Sequence, residues 1–152
     1  MHRSYGVTSC LNSITITPEP YDASPFDFQS SFVGCGNEVV SFRLSPNGLL
    51  EDRNVIMAQT PDNGRPLWRV KYTSDGVNMF VACDNGRLKW FKRAKNGAHE
   101  LFLDSQKHLD DIEDISISCD DQYIAMASQD RTVGLMRIGT PTCGPSSEGA
   151  FL

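Results

Sequence analysis

Apolar residues in this chain come in short bursts separated by polar turn formers. The runs around Phe32 to Cys35, Val39 to Leu44, Leu67 to Thr73, Met79 to Cys83, Arg87 to Arg93 and Tyr123 to Ser128 are rich in Val, Ile, Phe, Tyr and Trp. They have about the length of ordinary strands. Between them stand Asn47-Gly48, Asn63-Gly64, Asp75-Gly76, Asn85-Gly86 and Asn96-Gly97, dipeptides that tolerate positive φ and suit tight hairpins. Such punctuation predicts an antiparallel meander. The best helical candidate, Glu100 to Lys107, is short and lacks a sustained apolar pattern of helical period. An all-β fold is therefore expected. Two stretches read as loops: Glu19 to Ser30, which holds Pro20 and Pro25, and the Gly/Pro/Ser-rich tail from Gly139 to Gly149.

The runs recur in one plan: a strand, a turn, a second apolar strand ending in a small residue, a polar turn and a third strand. One unit runs from Leu11 through Ser31-Phe32-Val33-Gly34-Cys35 to Leu44, with the loop inserted. Another runs from Leu67 through Asp75-Gly76, Met79 to Cys83 and Asn85-Gly86 to Arg93, and the last from His108 to Ile138. Fourth strands fit at Asn54 to Ala58 and at Glu100 to Leu103. Equivalent positions lie roughly 45 residues apart, the length of one four-stranded propeller blade. The expected division is blade one over 11–60, blade two over 64–104, blade three over 108–138 and a tail over 139–152.

The third unit, from His108-Leu109-Asp110-Asp111-Ile112 to Gly134-Leu135-Met136-Arg137-Ile138, resembles a WD repeat along its whole length and without a gap. That family places a His before the first strand, a small hydroxyl residue in the second, an Asp in the following turn and a Trp in the third strand. Those places hold His108, Ser128, Asp130 and Met136. The resemblance implies a buried network in which Asp130 accepts from the His108 imidazole and the Ser128 hydroxyl extends the chain. Met136 departs from the pattern, because a thioether cannot donate. His108, Ser128 and Asp130 are thus expected to be architectural rather than a catalytic pair. In the second unit Cys83, Asn85 and Phe91 stand at the hydroxyl, Asp and Trp places, and the first unit offers Cys35 and Phe42. The implied fold is all-β: antiparallel four-stranded blades of a WD-repeat β-propeller, about three of them, in an incomplete ring. Closed rings need ~4 to 8 blades. Pro141 and Pro145 argue against a paired fourth strand in the third unit. The chain accordingly reads as a piece of a longer propeller, or as one that completes its ring with another chain.

Composition narrows the function classes. At 152 residues, 39% apolar and 22% charged, the chain fits one globular domain. No apolar run approaches the ~18 residues of a transmembrane helix, and Met1 to Cys10 lacks the apolar stretch of a signal peptide; a cytoplasmic or nuclear setting is expected. Cysteines at 10, 35, 83, 119 and 143 form no C-x-x-C pair, which fits neither a disulfide framework nor a zinc site. Phosphate-binding glycine loops, G-x-S-x-G and H-E-x-x-H are all absent. No catalytic, cofactor-binding or metal-ligating residue is assigned on these grounds. The resemblance implies a non-enzymatic scaffold joining other proteins of a multi-subunit complex. Its contact face transfers to Trp68 and Asp84 in the second blade and to Asp111, Glu113 and Gln129 in the third, with Trp68 as the anchor. The net charge of −5 hides an asymmetry, since residues 65–95 hold eight Lys/Arg against two acids. Complementarity with the acidic flanks is the favoured explanation. The alternative is an RNA- or anionic-lipid-binding strip of Arg65, Arg69, Lys71, Arg87, Lys89, Lys92 and Arg93.

Overall fold

The computed structural model describes residues 11–17, 28–34, 38–44, 47, 49–58 and 67–139. They form three antiparallel sheets and no α-helix. Blade one comprises β1 (Leu11–Thr17), β2 (Phe28–Gly34), β3 (Glu38–Leu44) and β4 (Leu50–Ala58). Blade two comprises β5 (Leu67–Tyr72), β6 (Asn78–Cys83), β7 (Arg87–Arg93) and β8 (His99–Gln106), and blade three β9 (Ile112–Ile117), β10 (Tyr123–Ser128) and β11 (Val133–Arg137). Every strand pairs with its neighbour along the chain, as a meander requires. The propeller-blade architecture expected from the turn spacing is what the chain adopts, and the three sheets do not close a ring. β2 begins at Phe28, inside the stretch read as loop, because Phe28 pairs with Leu44 across the hairpin. The rest of that loop, Cys35 and the tail beyond Gly139 lie outside the described residues.

Blade two is apolar on both faces because β6 has no polar interruption after Asn78. Phe80 and Ala82 join Leu88 and Trp90 of β7 in a core shared with Ile112, Ile115, Ile124 and Met126 of blade three. Met79, Val81, Cys83 and Phe91 form the opposite core with Val70 and with Val39 of blade one. Each large side chain so buried contributes roughly 1.5–3 kcal/mol, so the two seams hold the sheets face to face. Burial pushes the Cys83 thiol up to about 12, leaving it an unreactive apolar filler. The first strands converge: β5 packs against β1 on one side and against β9 on the other. Strand one of each blade is therefore the innermost.

The β6–β7 turn decides how blade two meets blade three. Asn85 and Gly86 have φ of 68° and 76°, the left-handed conformation through which the three-residue loop Asp84–Gly86 reverses the chain between β6 and β7. The Gly86 carbonyl then accepts from the amides of Lys107 (2.8 Å) and His108 (3.1 Å) in the β8–β9 connector. A Cβ at Gly86 would lie 2.0 Å from the His108 carbonyl oxygen, so only glycine permits the approach. Gly86→Ala should lower the unfolding free energy by more than ~2 kcal/mol, combining left-handed strain with a backbone clash. Gly97→Ala, with φ of 82° and no atom within 4 Å of the added Cβ, should cost only the ~1–2 kcal/mol of strain. Denaturant titration of the two variants checks the ranking, and equal stabilities would contradict it.

Candidate functional site

The connector from Lys107 to Asp111 is bonded on both sides. The His108 ring is fully buried, with Nδ1 2.9 Å from Thr132 Oγ1 and 3.2 Å from Asp130 Oδ2. The Thr132 hydroxyl donates to Asp130 Oδ1, so Nδ1–H is the donor to both neighbours. Asp130 also accepts from the amides of Thr132 and Leu109, each at 2.9 Å. The Thr132 hydroxyl foremost, then these amides and His108, hold its carboxyl well below the usual carboxylate range. The ring lies against Gly134, where a Cβ would come within 2.7 Å of Nε2. Ser128 takes a different place from the one expected. Its hydroxyl donates to the Asp110 carbonyl (3.0 Å) and accepts from the Asp130 amide (3.1 Å). Thr132 stands on the imidazole instead. The Asp130-Arg131-Thr132 spacing, a carboxylate two residues before a hydroxyl in a turn, was the available signal.

The residues nominated for contact at this end divide. Asp111 Oδ1 accepts from the Asn85 amide (2.8 Å) and the Asp111 carbonyl from the Gln129 amide (3.0 Å). Gln129 Nε2 donates to Glu113 at 2.9 Å. Asp111, Glu113 and Gln129 are thus gathered at the head of β9. Asp84 is buried in the 3₁₀ turn. Trp68 sits on β5, and its side chain lies outside what the structure describes.

Where the inner strands converge, Arg69 of β5 and Asp114 of β9 form a cross-blade ion pair, Nε to Oδ1 3.2 Å, with side chains 36% and 63% exposed. A bulge in β9 places Asp114 there: the register steps from Ile112 opposite Ser128 to Asp114 opposite Ala127, so Glu113 is an extra residue, and Ile112 and Ile115 are both buried in the seam while Glu113, Asp114 and Ser116 are exposed. Lys71, half-buried, is two positions beyond Arg69. In the sequence Arg69 stands out only as part of a basic strip, and Asp114 only as one of the acidic residues Asp110, Asp111, Glu113 and Asp114, which read as a solvated loop rim. A guanidinium beside an accessible carboxylate can orient an anion while the carboxylate accepts a proton from water. Among the described residues no cluster of three or more His, Cys, Asp or Glu has the geometry to hold a metal ion, and no helix is long and apolar enough to cross a membrane.

The basic strip does not form a continuous face. Arg87 and Lys89 both clamp Asp104 at 2.8 Å. Burial opposes that carboxylate's charge, but the Lys89 and Arg87 hydrogen bonds hold it below its ordinary value. Lys92 Nζ sits 3.8 Å from the Phe102 ring centre and 5.2 Å from that of Trp90. Arg93 pairs in register with His99, whose ring accepts or donates to the Tyr72 hydroxyl at 3.0 Å. Arg65 lies outside the described residues. The cations are spread over β5 and β7, and Arg69, Arg87, Lys89 and Lys92 are engaged by acids or rings, so the RNA- or lipid-binding reading is not supported.

No known protein-family model matches the chain, and no curated protein matches it in sequence. Solved structures do match. Among them is a candidate 6-phosphogluconolactonase from Bacteroides fragilis, with a TM-score of 0.63 at 16% identity over 72% of this chain and 31% of that one. The shared property is the fold.

The protein that shares this fold is named as a candidate enzyme. Three expectations are corrected by it. The WD-repeat assignment fails because the features behind it, blade-length spacing, N-G and D-G turns and a pinned connector, serve any propeller, while its distinguishing Trp is Met136. The non-enzymatic scaffold and the exclusion of enzyme activity fail with it, since both followed from that family rather than from the residues. The chain spans about a third of the length of the protein it matches.

Two titrations follow from this geometry. Asp130 is more acidic folded than unfolded, so its stabilisation is present above the ordinary carboxylate value near pH ~4 and is lost as pH falls below it. Asp130→Asn, which puts an amide NH2 opposite two of the four donors, should melt at lower temperature at pH 7, with the gap to wild type narrowing below pH ~4. A gap independent of pH would contradict this. Burial first, then the Arg93 charge, lower His99 to about 4. The unfolded chain therefore takes up this proton first, and stability should decline between pH ~6.5 and about 4. The imidazole C–H resonance of His99 should titrate near 4; a midpoint near 6.5 would refute the assignment.

Proposed function

We propose that the chain forms blades of a propeller enzyme that hydrolyses a small anionic cyclic ester, in the manner of a sugar-lactone hydrolase. The observation that carries the proposal is the Arg69–Asp114 pair on the converging inner strands. It supplies an anion-orienting cation and a water-facing base on two rigid blades. The fold likeness to a candidate 6-phosphogluconolactonase gives the substrate class. Arg69, with Lys71 behind it, would hold the anionic group and Asp114 would take a proton from water. The water oxygen bonds to the lactone carbonyl carbon, the ring C–O bond breaks, and the proton passes to the departing ring oxygen, leaving an open hydroxy acid. Glu113, tied to Gln129, would border the site.

The test is hydrolysis of phosphorylated and plain δ-lactones by the purified chain, followed by acid release. Asp114→Asn should lower kcat by ~10²-fold or more. Arg69→Ala should raise KM for the phosphorylated lactone more than for the plain one. No hydrolysis above the spontaneous rate, or hydrolysis indifferent to both substitutions, would overturn the reading.

A further inference from the structure

The β7–β8 hairpin carries a register change that separates a cation from the acid nearest to it. Trp90 of β7 stands opposite Leu103 of β8, whereas Phe91 stands opposite Leu101, so Phe102 is an extra residue in β8. Even pairing from Trp90 onward would set Glu100 opposite Arg93, an ion pair across the strands. The bulge instead sets Glu100 opposite Lys92 and His99 opposite Arg93. Arg93, two positions after the buried Phe91, is directed to the side of blade two that packs on blade one. Tyr72 packs on that same core from β5. Its hydroxyl lies 3.0 Å from His99 Nε2, and the two rings meet edge to face with 5.7 Å between centres. Tyr72, Arg93 and His99 thus come together at one end of one sheet face.

The guanidinium is the group left without compensation there. Its Nη1 is shut off from solvent and has no acceptor among the described residues. A shielded, charged donor in that state costs free energy that a bound anion would recover. His99 does not offset it, because burial first, then the Arg93 charge, keep the imidazole neutral down to about pH 4. Among the described residues Arg93 is the charge that acts on that ring.

We propose that Arg93, with His99 and Tyr72, binds a single phosphate group on the blade-one side of blade two. The planar guanidinium presents parallel N–H groups to two of the oxygens, and the tyrosine–histidine pair borders a third. A carboxylate has no third oxygen to meet that pair, which favours the tetrahedral ion. The ligand is one phosphate rather than a charged polymer or a membrane surface, since the neighbouring Arg87, Lys89 and Lys92 are engaged by Asp104 and by aromatic rings. Arg69, in register with Ala82, belongs to the opposite face of blade two, in the seam with blade three. The inference therefore does not rest on the catalytic reading.

The test is proton NMR of the purified chain, with inorganic phosphate added against chloride at constant ionic strength. The imidazole C–H resonance of His99 should shift saturably in the millimolar range. Its midpoint should rise above about 4, because an anion beside the ring favours the imidazolium. Arg93→Gln should weaken binding ~10-fold or more, and Arg93→Lys less, since a point charge keeps the attraction and loses the fork. Arg69→Ala should leave binding unchanged, and acetate should bind ~10-fold more weakly than phosphate. Glucose 6-phosphate binding as tightly, with the same dependence on Arg93, would assign the site to phosphate monoesters. Its exclusion would assign the site to the free ion, and both results uphold the proposal. Should Arg93→Gln unfold, Arg93→Lys and the wild-type comparison of phosphate with chloride and acetate decide. No saturable shift, a shift that chloride reproduces, acetate binding as tightly as phosphate, or binding indifferent to substitution of Arg93 would each overturn the proposal. Loss of phosphate binding in Arg69→Ala with retention in Arg93→Gln would also overturn it, while absence of lactone hydrolysis would count against the catalytic reading alone.

Discussion

The bonding of the Lys107–Asp111 connector is the constraint on which the relation between blades two and three depends. On one side the Gly86 carbonyl and the Asn85 amide, in the β6–β7 turn, bind the connector. On the other, Asp130, Thr132 and the Gln129 amide bind it from the β10–β11 turn. Apolar seams alone are non-directional and would tolerate sliding of one sheet over another. These directional bonds fix the register of the seam, and with it the position of β9 relative to β5. At the opposite end Ser74 adds a second tie, its amide and hydroxyl both donating to Asp121. Held at both ends, Arg69 and Asp114 meet at bonding distance without either belonging to a mobile segment.

The same economy explains why His108 and Asp130 are poor candidates for chemistry despite their pairing. The imidazole is buried, and the carboxylate oxygens already accept four donors. Asp114, by contrast, is an accessible carboxylate whose Oδ1 accepts from the Ile115 amide and pairs with Arg69, the arrangement on which the proposed function rests. Fully satisfied buried networks specify structure, and partly exposed charged pairs at a convergence of strands are where ligand chemistry can begin.

The strands and the blade repeat could be read from the chain because short apolar runs and N-G or D-G turns act locally. Asn85-Gly86 is the clearest instance: the dipeptide predicted a tight turn, and both residues take the left-handed conformation. The pairing of His108 with Asp130 was likewise anticipated, whereas Thr132 was missed because a side chain two residues along a turn is judged only once the turn geometry is known. Arg69–Asp114 was invisible for a deeper reason. The two residues are 45 positions apart in different blades, and no local pattern links them. The family-level reading went astray at the same scale, since a blade is a common solution to stacking sheets and its internal ties do not identify the molecule's chemistry.

Native-state hydrogen exchange measures the connector's role most directly. If the bonds around Lys107–Asp111 set the blade two to blade three register, the amides of Asn85, Lys107, His108, Leu109 and Gln129 should exchange only with the global opening that frees the core amides of Phe80 and Ile124. Exchange of those five amides at loop-like rates, with the core strands still protected, would contradict the account.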